Sequence, residues 1–205
     1  MRSAEGLGVV DVKRDAPPAH RRVPAEPGVW VLLFGDMLLF AVMFATFLNV
    51  RRHEPIAFDV AQARLHVGLG LTNTLVLMVS SLLVVVLVGC LDRGNRRWAA
   101  TAGVGALLCG VAFIAIKSIE YHDLLAHGYT PNSAPFYMYY FVLTGLHLLH
   151  VVIGLAVLVF LTMQARRAPL SAGRTVAVEG GACFWHLVDL LWIVLFPLLY
   201  LVGGA

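Results

Sequence analysis

The chain is predicted to be an all-α integral membrane protein, a bundle of five transmembrane helices with a cytoplasmic amino terminus and an external carboxyl terminus. Composition points first to a bilayer. Of 205 residues, 60% are hydrophobic and 13% charged, where soluble domains carry about 25% charged residues. The mean hydropathy is +0.82. Second, the apolar residues fall in five runs of the length that crosses a hydrocarbon core of about 30 Å, roughly 20 residues at 1.5 Å each. Third, the positive charges are unevenly placed between those runs, which fixes an orientation.

Residues 1–27 form a basic tail with prolines at 17, 18, 24 and 27. It contains no apolar segment that could act as a cleaved signal, and is expected to be a flexible cytoplasmic extension. The first helix is placed at 28–50 and doubles as an uncleaved insertion signal. The others are placed at 67–91, 98–119, 137–164 and 183–202, completing a membrane domain over 28–205. With the tail inside, Arg2, Lys13, Arg14, Arg21, Arg22, Arg93, Arg96, Arg97, Arg166, Arg167 and Arg174 all lie on the cytoplasmic side. Only Arg51, Arg52 and Arg64 lie outside, while Lys117 falls within a helix. Such a distribution reads as a topology signal rather than a nucleic-acid surface. Cys90, Cys109 and Cys183 lie at or within apolar runs without a CxxC pair, so free thiols are expected. Trp30, Trp98, Tyr137, Tyr139, Tyr140 and Tyr200 sit near span ends, where amphipathic rings anchor at the headgroups. Differing polar residues on the five spans argue against the repeats of many transporters.

Ionisable side chains within the spans carry the functional signal, because each is costly in lipid and wants a protein partner. Asp36 shares a helical stripe with Phe40, Met43 and Phe47, which predicts that this face packs inward. His147 and His150 lie three apart, with Gly154 on the same face offering room for a neighbouring backbone. Glu179, His186 and Asp189 form a second polar face, and a cross-helix pair such as His150 with Asp189 is sterically reasonable. Lys117 and Glu120 are also three apart. Their expected depth is the outer boundary, where the lysine snorkels or pairs with the glutamate. Asn73 and Ser80, seven apart, are expected to hold their helix to a neighbour.

These residues carry a resemblance. GVWVLLFGDMLLF at 28–40, KSIEYH at 117–122, FVLTGLHLLHVVIG at 141–154 and EGGACFWHLVDLLW at 179–192 resemble, in order, the subunit III family of haem-copper oxidases. The shorter, five-helix branch, the NorE proteins associated with nitric oxide reductase, is the more similar. The longer oxidase subunits have two additional amino-terminal helices, which form one wall of a lipid-filled cleft, and most carry glutamate where this chain has Asp36. The resemblance implies an accessory component that binds no haem or metal itself. Its partner would be the catalytic subunit of an oxidase or nitric oxide reductase in the respiratory chain of a bacterial plasma membrane. It would stabilise that subunit and support proton uptake, with Asp36 facing it or an adjoining lipid. Glu120, His147, His150, Glu179, His186 and Asp189 would form a buried polar network, and Arg166 and Arg167 would meet anionic phospholipid.

The same residues admit two other functional classes. One is a stand-alone redox protein that binds haem or metal through His147, His150 and His186. It is disfavoured because two histidines three apart on one helix cannot both be axial ligands of one haem, and no paired Glu-x-x-His elements occur. The other is a small proton channel, disfavoured by unbroken spans without repeats.

Overall fold

The computed structural model describes residues 27–166 and 172–202, which are helical apart from short connections, with no strand among them. Six helices occur in order: α1 (Pro27–His53), α2 (Pro55–Gln62), α3 (Val67–Asp92), α4 (Arg96–Ala126), α5 (Pro135–Arg166) and α6 (Ala172–Tyr200). Five are long and apolar enough to cross a membrane, and the chain is a multi-pass membrane protein. The predicted tail lies outside the described residues up to position 26, as does Arg167.

Helices α3, α4, α5 and α6 pack in a ring, each against the next and α6 back against α3, while α1 lies outside on α5 and α6. Burial follows this order: 67% of the α6 span is buried against 17% of the α1 span. The tight turn from α3 to α4 is made by Gly94, at φ 72°. Its amide bonds Leu91 O at 3.0 Å and the following Asn95 amide bonds Cys90 O at 2.8 Å. This double closure satisfies terminal carbonyls and requires a left-handed residue, which glycine adopts without strain. Gly128, at φ 81°, ends α4 in the same way.

The structure differs from the sequence reading at the helix ends. α2 was expected to be loop. Pro55 supplies its first-turn residue, a position where the missing amide is harmless, and the buried Phe58 rests edge-on against Phe47 and Phe136 at 5.4 and 5.6 Å. Arg51 fastens this corner, donating to Asp59 Oδ1 at 2.9 Å, Gln62 Oε1 at 3.4 Å and the Val202 carbonyl at 2.6 Å. α6 begins at Ala172 instead of 183. Hydropathy falls around Glu179, Gly180 and Gly181, yet helix continues through them, with Gly181 so close to α5 that an added Cβ would approach Val157 to 2.8 Å. α4 runs to Ala126, beyond the predicted 119.

Close packing surrounds Trp185, which is fully buried. An added Cβ at Gly154 would lie 2.6 Å from its Cε3, and one at Gly110 would lie 3.2 Å from its Cη2. The room predicted at Gly154 is therefore filled by an indole ring, not by a neighbouring backbone. Ser80 donates to the Ala106 carbonyl at 3.1 Å and ties α3 to α4 as expected. Asn73 is also fully buried, but its amide atoms have no hydrogen-bond partner among the described residues. Cys90, Cys109 and Cys183 are free thiols.

Candidate functional site

The inner stripe of α4, continuing Ala106, Gly110 and Phe113, brings Lys117 and Glu120 into the centre of the ring, both 1% exposed. Lys117 Nζ donates to Glu120 Oε2 at 2.9 Å, Tyr140 Oη at 3.0 Å and Tyr200 Oη at 2.8 Å. The Tyr200 hydroxyl in turn donates to Glu120 Oε1 at 2.5 Å. All three ammonium protons are thus used. The rings of Tyr140 and Trp192 stand 4.9 and 5.1 Å from the nitrogen, where an aromatic face attracts a cation. The predicted pairing with Glu120 is present, and the lysine is held inside the bundle rather than on its outer surface. Lys117 lies nine residues before the end of α4, about 13 Å at the helical rise, and does not snorkel. Tyr140 and Tyr200 are likewise buried members of this clasp, not headgroup anchors, and Tyr137 is buried against Tyr129.

One turn deeper, His147 is fully buried between Phe113 and Trp192, with ring centroids 5.6 and 5.2 Å away. Neither ring nitrogen is hydrogen-bonded among the described residues. Trp192 Nε1 donates to Thr74 Oγ1 at 3.1 Å.

His150 faces α1 rather than α6. Its Nε2 lies 3.4 Å from Asp36 Oδ1, and its Nδ1 lies 2.8 Å from the Leu146 carbonyl. The pairing with Asp189 is therefore corrected: the rotation of α5 turns His150 toward the Asp36 stripe, whose Phe40 and Phe47 are fully buried. A carbonyl can only accept, so Nδ1 carries a proton. In a neutral ring Nε2 is then a lone pair, facing the lone pairs of a carboxylate. The contact is attractive only with one more proton, held either as imidazolium with carboxylate or as imidazole with carboxylic acid. The side chains retain 10% and 20% exposure at the edge of the bundle.

On α6, His186 Nδ1 and Ser81 Oγ are hydrogen-bonded at 2.6 Å. Asp189 is 4% exposed and lies against Ser81, whose hydroxyl it shares with His186, and neither carboxylate oxygen closes a hydrogen bond of ordinary geometry. Glu179 is half-buried, and lines a cleft with Cys183 and His186. Arg166 is exposed at the end of α5. The candidate residues thus form separate groups: Glu120 with Lys117, His150 with Asp36, and Glu179, His186 and Asp189 along α6. His147, His150 and His186 do not converge, and among the described residues no group of three or more His, Cys, Asp or Glu side chains is disposed to hold a metal ion. Ser81, Tyr140 and Tyr200 were missed as polar partners. Their hydroxyls carry no local signal, since Tyr200 lies 83 positions from the lysine it bonds.

A family profile described as Cytochrome c oxidase subunit III matches residues 23–204. The chain belongs to that family. Among its relatives in the subunit III family is the cytochrome bo(3) ubiquinol oxidase subunit 3 of Pseudomonas aeruginosa, 33% identical over 86% of this chain and 84% of that protein. The probable cytochrome c oxidase subunit 3 of Mycobacterium bovis is 27% identical over 98% of this chain and 100% of its own length. The cytochrome c oxidase subunit 3 of Alkalihalophilus pseudofirmus is 25% identical over 96% and 98%. The mycobacterial match spans its whole protein in 206 residues. Short subunit III chains therefore occur among proteins named for cytochrome c oxidase, and chain length does not single out the NorE branch.

Proposed function

We propose that this chain is the accessory subunit III of a haem-copper oxidase, which stabilises the catalytic subunit and supports its proton uptake. Family membership supports the assembly, and the Asp36–His150 pair carries the proton role. An acid and an imidazole held 3.4 Å apart and sharing one proton between them support that role. Its partial exposure at the bundle edge supports contact with a neighbouring subunit. Haem and metal belong, on this reading, to the partner, an oxygen-reducing enzyme or a nitric oxide reductase in a bacterial plasma membrane. The excess of Arg and Lys on the tail and even-numbered loops supports a cytoplasmic amino terminus, with Arg166 and Arg167 at the phospholipid headgroups.

The test is Asp36→Asn in the assembled enzyme. Haem content and subunit stoichiometry should be unchanged, while the pH dependence of turnover shifts or the turnover lifetime shortens. Wild-type kinetics across the whole pH range, with a wild-type lifetime, would confine Asp36 to packing.

A further inference from the structure

Between α3 and α6, on the side of the ring opposite the α4–α5 contact, runs a trough made of two clefts that share Val85. The first, of about 430 Å³, is lined by Glu179, Cys183 and His186. The second, of about 340 Å³, is lined by Ser81, Asp189 and Ile193. Apolar exposure along such a trough carries no information, because every lipid-facing helix shows it. Asp189 does carry information. It is 4% exposed, neither oxygen closes a hydrogen bond within the bundle, and the one hydroxyl beside it, that of Ser81, is shared with His186 and can serve one of the two oxygens at most. A buried carboxylate without a donor is expensive in any apolar medium.

We infer that this trough seats a transmembrane helix of the catalytic subunit, and that this helix donates a hydrogen bond to Asp189. The inference rests on the accessory-subunit reading and specifies the face through which it acts. Depth and shape select the occupant. Asp189 lies eleven residues before the end of α6, about 16 Å along the axis, which is near mid-membrane. Phospholipid headgroups do not reach that depth, and an acyl chain has no donor to offer. A helix spans the entire depth, can place a polar side chain at any level, and packs its ridge into the groove between two neighbours. From Glu179 to Ile193 the trough runs about 21 Å at the helical rise, most of a helix's path through the hydrocarbon.

Two measurements on the full chain test this, the first of them in its native membrane. A photoreactive benzoylphenylalanine at Leu82, on the trough rim and 64% exposed, is compared with one at Leu108 on α4, 65% exposed. The Leu82 probe should capture a polypeptide that mass spectrometry identifies as the haem-bearing subunit, and the Leu108 probe should not. Capture from Leu108 alone, or Leu82 adducts confined to lipid or a lipid-soluble quinone, would overturn the inference. In the second, Asp189→Leu should leave the thermal stability of the isolated chain unchanged or raised, while retention by the catalytic subunit falls roughly ten- to a hundredfold. A destabilised isolated variant, or unchanged retention, would make Asp189 an internal structural group. If wild-type chain co-purifies with the haem-bearing subunit but the probes point elsewhere, only the docking face is wrong. If it co-purifies with none, the accessory reading itself fails.

Discussion

Lys117→Met is expected to be the most damaging single substitution in the bundle. The ammonium is held by a carboxylate and two tyrosine hydroxyls within 3.0 Å, in a site that excludes solvent. Its removal leaves Glu120 as a buried charge with one remaining donor, Tyr200. Breaking a buried pair from one side costs roughly 3 to 5 kcal/mol, whereas replacing both partners with neutral groups is often close to neutral. The single variant should therefore lose on the order of 10 °C in its thermal midpoint in mild detergent, and Lys117→Met combined with Glu120→Gln should recover a large part of the loss. A double variant no more stable than the single would show that the charge pair is not the source of the effect, and that packing of the long side chain against four aromatic rings is.

Trp185→Ala should be next in size. The ring is fully buried and is accommodated by the absence of side chains at Gly110 and Gly154. Large aromatic truncations cost roughly 3 to 5 kcal/mol in water-soluble cores. In a bilayer the lower end applies, because lipid tails are as apolar as the protein interior and the lost dispersion contacts make up most of the effect. The complementary substitution, Gly154→Ala, should cost about 1 to 3 kcal/mol by overpacking. Thermal unfolding of both variants checks this, and a neutral Gly154→Ala would mean that the indole can shift and that the slot is not tight.

The course of the chain through the membrane was legible because run length alone determines which segments can span. Helix ends were not. The residues after Ile119 are polar enough to end an apolar run, but helix α4 continues through them to Ala126 because unpaired backbone groups are costly in the apolar bilayer core. What the apolar run does not show is that Lys117 is buried inside the bundle. On single helices the spacing was informative: Asp36 shares its face with Phe40 and Phe47, and both phenylalanines are buried. Partners across helices were beyond reach, because they depend on the rotation of each helix about its axis. His150 meets Asp36 rather than Asp189, and Ser81, adjacent to the singled-out Ser80, holds His186. Gly154 was recognised as a place of close approach, but nothing local in the sequence indicates that its visitor is Trp185, 31 positions away.

The most direct test of the whole reading is to affinity-purify the tagged chain in mild detergent and record visible spectra of the complex and of the chain separated from it. The complex should contain a haem-bearing subunit in fixed proportion, with every absorption band following that subunit and none remaining on the isolated chain. A stoichiometric Soret band on the isolated chain would instead make it a cofactor-binding redox protein.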